Sequence, residues 1–320
     1  MLISVVVPTH NRSDALAQTL VHLSRQQFCQ TWEVIVVNNN SVDNTNEVVA
    51  SRQQNFPVPL RLVHEKTPGA AAARNAGARV ANGEFLVFID NDILTEPDFL
   101  QLHFKALQQN PNSWIVGQVV NLPAQENSVF GQYRKRLFPV VPVTSEIRET
   151  DGITGQTVSM SRQDFIRLNG FDEKFTVASG EDHEFAMRGR KELGIKTLLV
   201  PSIVVVHNDW AGWTFSDFCQ RQRIYSKTEF YFWQKYGKDH PRQRLVEENL
   251  PVEWKKDSLK MMLRKKAKQI LGNTAVHHAL VKMSNFSENK LPSIVLWQFY
   301  KLALAGAIHQ GFREGHKNFR

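Results

Sequence analysis

A chain of 320 residues, 42% hydrophobic and 22% charged, is long enough to bury a full core and too apolar for a disordered polypeptide. Its formal net charge of +8 points to an anionic partner; nucleic acid, a phosphorylated small molecule and an acidic membrane face all stay open on charge alone. The only two cysteines, Cys29 and Cys219, form neither a close-spaced metal motif nor a disulfide framework, so a reducing, cytoplasmic compartment is expected.

The first hundred residues alternate strand and helix signals. "ISVVVPTHN" is a continuous apolar strand from the start of the chain, with no basic n-region ahead of an apolar stretch, so no secretory signal is expected. "RSDALAQTLVHLSRQQ" carries apolar residues at helical spacing, with Ser13 or Asp14 as its cap. "WEVIVVNNNS" is a second strand, "SVDNTNEVVASRQQ" a second helix and "LRLVHEK" a third strand. "PGAAAARNAGARVAN" is an alanine-rich helix and "EFLVFIDND" a fourth strand. Strands apolar throughout, separated by helices, imply a parallel sheet covered on both faces. Right-handed crossovers then bring the strand C-termini, where such sheets bind ligands, to one edge. Thr9-His10-Asn11-Arg12, Asn38-Asn39-Asn40-Ser41 and Asp90-Asn91-Asp92 would meet there.

Beyond residue 110 the regularity loosens. "SWIVGQVVNL" reads as a strand and 123–150 as a loop or mobile insertion. "GITGQTVSMSRQDFIRLNGFDEKF" reads as a strand, a helix from about Arg162 to Leu168 and a Gly-Phe-Asp turn. "SGEDHEFAMRGRKELG" starts a helix with acidic residues, and "KTLLVPSIVVVHND" is a strand. Residues 236–320 are more basic and more helical. The most apolar stretch, 294–308, is interrupted by Gln298 and Lys301 and is short for a membrane span.

The end of the fourth strand poses a problem, because Asp90 and Asp92 are like charges one residue apart. A hard divalent cation relieves that repulsion; the alternative is a polar turn in which Asp92 caps a short helix. Arg74 either reaches an anion at the helix start or sits at the surface of a helix packed by alanines, and the pattern does not choose. Glu181, Asp182 and Glu184 either complement a helix dipole or supply a general base. His207, at another strand end, is a structural histidine or completes a mixed oxygen and nitrogen shell suited to manganese. Trp210 and Trp213 are a stacking platform for sugar or lipid, or core aromatics.

Taken together, "SVVVPTHNR", "EVIVVNNNSVDNT", "GAAAARNAG", "FLVFIDND", "NGFDEKF" and "GEDHEFAMRGRKELG" resemble, in family order over about residues 3–210, the motifs of family 2 glycosyltransferases. The resemblance implies an α/β GT-A type fold, Rossmann-like, with a mostly parallel central sheet, helices on both faces and a mainly helical C-terminal extension. The division expected is a catalytic domain at 1–235, split near 110 into nucleotide and acceptor halves, and an extension at 236–320. It also implies inverting transfer of a sugar from a nucleoside diphosphate (UDP, GDP or dTDP) to a glycan or lipid-linked hydroxyl, with Mn2+ or Mg2+ as cofactor. Asp182 matches the base and Glu181 orients the acceptor or the base. Asp92 holds the metal with help from His207, and Asp90 serves the ribose or a metal-bound water. Pro8, Thr9, Asn11, Arg12, Asn38, Asn40, Arg74, Asp90 and Asn91 line the nucleotide sugar. Two positions depart from the pattern: Asn38 stands where many members have Asp, so a uracil preference does not carry over, and Thr157 stands where Asn is common.

Two competing readings are a nucleotidyltransferase and a non-catalytic sugar or nucleic-acid binder. "PTHNRSDA" lacks the Gly-rich, basic loop that a triphosphate needs, and much of the positive charge sits at 255–268, away from the sheet edge, so no nucleic-acid partner is expected. The basic and apolar C-terminal helices suit an anionic membrane surface, giving peripheral attachment to the inner face of the cell membrane, or else cap the catalytic domain.

Overall fold

A computed structural model describes residues 2–121, 128–175, 179–208, 213–288 and 290–318. Contacts divide the chain into two units, 1–123 with 139–211, and 124–138 with 212–320. The sequence pattern expects a boundary at 235/236.

The first unit opens with β1 (Ile3–Thr9), α1 (Ser13–Ser24), β2 (Trp32–Asn38), α2 (Thr45–Gln53), β3 (Leu60–His64), α3 (Ala70–Val80) and β4 (Phe85–Ile89). A short β5 (Ile93–Thr95), α4 (Phe99–Gln109) and β6 (Ser113–Asn121) follow. The chain then enters the second unit for α5 (Val129–Leu137) and returns with β7 (Arg148–Glu149), β8 (Thr157–Ser161), α6 (Arg162–Arg167), α7 (Glu181–Leu193) and β9 (Lys196–His207). The strands form one sheet in the order β3-β2-β1-β4-β8-β6-β9-β5, with β7 also on β9. The β1/β2, β2/β3, β1/β4 and β6/β9 pairs are parallel, whereas β8, β5 and β7 run antiparallel to their neighbours.

Uniformly apolar strands are explained by burial on both faces. In β1, Ile3, Val5 and Val7 join a core with Leu16 and Leu20 of α1, Val49 of α2 and Leu100 of α4. Val6, pointing the opposite way, joins Ala73 and Ala76 of α3, Phe165 of α6 and Phe185 of α7. Because β1, β2 and β4 are parallel, Thr9, Asn38 and Asp90 leave the sheet at one edge, as the sequence pattern anticipated.

Three local expectations differ. Helix α1 has Arg12, not Ser13 or Asp14, at its N-cap, and the free Ser13 N–H is satisfied by Asp43 Oδ2 at 2.8 Å from the loop after β2. Asp92 caps no helix; it leads directly into β5, which pairs with β9. Part of the expected loop at 123–150 is helical, since Ser128 accepts a hydrogen bond from Gly131 N and caps α5.

The second unit adds to α5 the helices α8 (Phe215–Tyr236), α9 (Gln243–Glu247), α10 (Leu259–Leu271), α11 (Thr274–Ser287) and α12 (Ser293–Asn318). Its core includes an aromatic cluster in which Phe130 of α5 meets Phe215, Phe218 and Tyr300 at centroid distances of 5.6 to 5.9 Å. Gly315 lets α12 approach α8 closely: a Cβ there would lie 2.5 Å from the Lys227 carbonyl. Among the described residues no helix is long and apolar enough to cross a membrane.

Candidate active site

The loops after β1 and β2 are stitched together at the sheet edge. Asn11, with φ of 50°, accepts a hydrogen bond from Val42 N through Oδ1 (2.8 Å), while its own N–H donates to Ser41 Oγ (3.0 Å). Asn40 takes a φ of 62° and donates to the Lys66 carbonyl. Asn is the residue that best tolerates this left-handed backbone after Gly. Asn38 is buried; its Oδ1 accepts from Ser41 N and its Nδ2 donates to Asn46 Oδ1, both at 2.8 Å. Pro8 is a half-buried strand residue opposite Val37. Thr9 Oγ1 accepts from Asn91 Nδ2 at 2.7 Å, tying β1 to the Asp-Asn-Asp turn.

Each carboxylate of that turn has its own cationic neighbour. Asp90 Oδ1 lies 2.7 Å from Arg74 Nη2, and Asp92 Oδ2 lies 3.1 Å from Arg12 Nη1. The repulsion that the sequence assigned to a metal is thus relieved in part by two arginines. His207 reaches Asp92 because it pairs with Ile93 across the β5/β9 ladder, which sets its Nε2 3.4 Å from Asp92 Oδ2. Burial alone would raise the Asp92 carboxyl, but the His207 hydrogen bond and charge, with Arg12, hold it below the usual carboxylate range. Its second oxygen, Oδ1, is buried and accepts no hydrogen bond.

The expected metal set of Asp90, Asp92 and His207 does not converge: among the described residues no three His, Cys, Asp or Glu side chains are grouped to hold an ion by themselves. Asp90 faces Arg74 instead. The Asp92–His207 pair, with an unsatisfied buried oxygen, still fits a divalent cation whose remaining ligands come from phosphates and water, the usual arrangement for Mg2+ at nucleotide sites.

Arg74 is buried rather than at the surface. Beyond Asp90 it reaches Glu181 Oε1 through Nη1 at 2.8 Å. Gly155 makes room for it, since a Cβ at that position would overlap the guanidinium. Burial opposes the Arg74 charge, but Asp90, Glu181 and Asp182 together raise its pKa further, so the cation is permanent.

Glu181 and Asp182 open α7 and differ sharply. Burial and the Asp182 charge push Glu181 up to about 7, against the pull of Arg74. Asp182 is partly exposed; burial opposes its charge, yet His183 and Arg74 lower its pKa below the ordinary value. Its Oδ1 accepts from His183 N at 2.8 Å and lies 3.0 Å from His183 Nδ1. One carboxylate is therefore ionised and accessible while its neighbour is buried against a guanidinium.

Sequence reasoning missed His183 and the Glu184–Arg188 clamp. Arg188 is held by both oxygens of buried Glu184 and donates to the carbonyls of Leu168 and Gly170, fastening the Gly-Phe-Asp turn to α7. The i,i+4 spacing of Glu184 and Arg188 was a usable signal. Thr157, one of the two departing positions, is buried with its Oγ1 3.2 Å from His103 Nε2. Trp213 belongs to the second unit, where Arg221 stacks 5.0 Å from its ring. Trp210 lies outside the described residues.

A mixed sheet with a parallel β3-β2-β1-β4 half, an Asp-x-Asp turn at its edge and a carboxylate pair opening a helix are the marks of the GT-A class. The family model for glycosyl transferase family 2 matches residues 4–168, just over half of the chain, and the chain belongs to that family. A second model, described as the N-terminal domain of galactosyltransferase, matches residues 137–202. Validoxylamine A glucosyltransferase of Streptomyces hygroscopicus subsp. jinggangensis (strain 5008) is 30% identical over 214 residues, covering 58% of this chain and 51% of that protein. Chondroitin synthase of Escherichia coli is 26% identical over 223 residues, covering 59% of this chain and 32% of that protein. The chain thus spans about half, or less, of the length of these relatives. Among solved structures, mannosyltransferase PcManGT from Pyrobaculum calidifontis in complex with GDP-Man and Mn2+ has a TM-score of 0.62 at 22% identity, covering 96% of this chain and 86% of its own. Staphylococcus aureus TarS 1-349 in complex with UDP-GlcNAc has a TM-score of 0.54 at 16% identity, covering 99% and 92%. These likenesses establish the fold.

Proposed function

We propose that the chain is an inverting, metal-assisted glycosyltransferase that moves a sugar from a nucleoside diphosphate to an acceptor hydroxyl, in the assembly of a polysaccharide, glycolipid or other glycan. The observation that carries this reading is the pair of carboxylates at the start of α7, with Asp182 ionised and partly exposed while Arg74 ties Glu181 to Asp90 at the donor edge. A binder has no need of an accessible base fixed to its ligand edge by a buried cation.

Asp182 takes the proton of the acceptor hydroxyl as that oxygen attacks the anomeric carbon, and the bond to the diphosphate oxygen breaks on the opposite face. His183, against the same carboxylate, stabilises its charge before the transfer. Arg74 holds Glu181 and, through Asp90, fixes the acceptor side relative to the donor edge. Thr9, Asn11, Arg12, Asn38 and Asn40 form the rim that would receive the nucleotide. Asp92 and His207 would hold the divalent cation, which when bound neutralises charge on the departing diphosphate. The Mn2+ and GDP-Man in the mannosyltransferase complex and the UDP-GlcNAc in TarS support this donor class and metal.

The test is thermal stabilisation by UDP, GDP, dTDP and CDP, each with Mn2+ and with EDTA. Stabilisation by one nucleotide that requires metal, and that Asp92→Asn abolishes, is expected. Equal stabilisation with and without metal by every nucleotide would sink the proposal.

A further inference from the structure

The positive charge of this chain is not spread over it. Residues 255–320 hold 13 of the 39 Lys and Arg but only 3 of the 31 Asp and Glu, so the rest of the chain carries a slight net negative charge. Within that segment α10 is built inside out. Its inner face carries cations: buried Lys265 bonds both oxygens of Asp257 and the Pro251 carbonyl, Lys268 bonds Glu248 Oε2 at 2.9 Å, and Arg264 bonds Glu248 Oε1 at 3.0 Å. Its outer face carries Leu259, Leu263 and Ile270, which are 73%, 63% and 63% exposed. Positions 259, 263 and 270 fall within a narrow arc of an α-helix, so these side chains form one ridge. Trp254, 72% exposed, joins it, since the Lys266 ammonium lies 6.0 Å from its ring. By helical spacing, exposed Lys260 and Lys266 lie on either side of the ridge, and exposed Lys255 follows Trp254 in the chain.

An amphipathic helix in water turns its apolar side inward; this one pairs its inner lysines and arginine with carboxylates and leaves aliphatic side chains outside. That arrangement gains only if something apolar covers the ridge, and the lysine flank selects an anionic cover. We infer that the outer face of α10, with Trp254, docks on an anionic lipid bilayer. Leu259, Leu263 and Ile270 enter the boundary between headgroups and acyl chains, Trp254 sits at the headgroup level, and the lysines meet lipid phosphates. A protein groove would match the aliphatic ridge too, but a dense lysine flank is what a uniformly anionic surface rewards and what the core of a protein interface tends to exclude. The surface works independently of the transfer chemistry.

The test is flotation of the full chain with vesicles of phosphatidylcholine containing phosphatidylglycerol, against phosphatidylcholine alone, at low and moderate salt, alongside sedimentation velocity without lipid. Binding is expected to need phosphatidylglycerol and to weaken with salt. The triple change Leu259→Ser, Leu263→Ser and Ile270→Ser should weaken it on the order of 100-fold or more, with the unfolding temperature and nucleotide binding unchanged because the three side chains are exposed. Lys255→Gln, Lys260→Gln and Lys266→Gln together should weaken it on the order of 100-fold, since each lysine near the surface adds about 1 kcal/mol. Failure of the parent chain to float with phosphatidylglycerol at low salt would overturn the inference. So would unchanged flotation of the triple serine variant, or a parent dimer that the serine changes convert to monomer without any vesicle binding.

Discussion

Arg74 donates at once to Glu181, 107 positions away along the chain, and to Asp90 at the end of β4, at 2.8 and 2.7 Å. Both the guanidinium and the Glu181 side chain are 4% exposed, so this pair is desolvated. Removing one member of a buried ion pair strands the other and costs roughly 3–5 kcal/mol. Arg74→Met is therefore expected to lower unfolding free energy by about that much in urea titration. Arg74→Lys should recover little, because one ammonium cannot span two carboxylates as the planar fork does. Equal stability of the methionine variant would mean that Glu181 is protonated or solvated without Arg74.

Asp182→Asn keeps the shape of the side chain and removes its basicity. Turnover should fall by about 10²- to 10⁴-fold, the usual contribution of a general base, while nucleotide affinity stays as it was. Separate measurement of kcat and of nucleotide binding checks this; full turnover would end the assignment of Asp182 as base.

Asn38→Asp tests the donor rim. The Asn38 amide donates to Asn46 Oδ1 and accepts from Ser41 N. An aspartate still accepts from Ser41, and rotation of the Asn46 amide turns its Nδ2 toward the new carboxylate, so stability should change by no more than about 1 kcal/mol. A carboxylate cannot donate, so the ranking of UDP, GDP, dTDP and CDP in thermal stabilisation should shift toward bases that present an N–H. An unchanged ranking would place the base away from Asn38.

His103 sets an acid limit on the first unit. It is fully buried between Ser159 and Thr157, and burial pushes its pKa down to about 3. The unfolded chain takes up a proton near 6.5 that the folded one refuses, so the stability His103 contributes is complete above pH 6.5. It is lost at about 1.4 kcal/mol per pH unit as pH falls from there toward 3. Urea titrations at pH 7, 5.5 and 4 on the parent and on His103→Gln check this. The variant should start less stable and show a shallower pH dependence over this range.

The parallel sheet and the edge at which the polar residues gather were legible in the sequence, because β1, β2 and β4 are apolar on both faces and end abruptly at Thr9, Asn38 and Asp90, whereas the order of the strands was not. The position of the Asp-x-Asp turn at the sheet edge was legible, but not its electrostatics. Arg12 and Arg74 are distant in sequence and gave no sign of pairing with the carboxylates, whereas the approach of His207 to Asp92 was expected from the family resemblance and follows from the β5/β9 register. A one-dimensional pattern cannot distinguish a buried arginine such as Arg74 from one at the surface. The prolines of 123–150 suggested a loop, but Pro123, Pro139 and Pro142 all fall outside α5, whose buried face is aromatic rather than aliphatic, as Phe130 and Tyr133 show.

The excursion of α5 into the second unit has a consequence for how the chain is made. Phe130 and Tyr133 are packed in the finished molecule against Phe215 and Tyr300. A ribosome adding about 5–20 residues per second needs roughly 8–35 s to travel from Tyr133 to Tyr300. For that interval two large rings lack their final partners while the first unit can already be folding. Nascent chains are therefore most vulnerable between the completion of β9 and the emergence of α12, and shortening the gene after residue 211 would make that vulnerable state permanent.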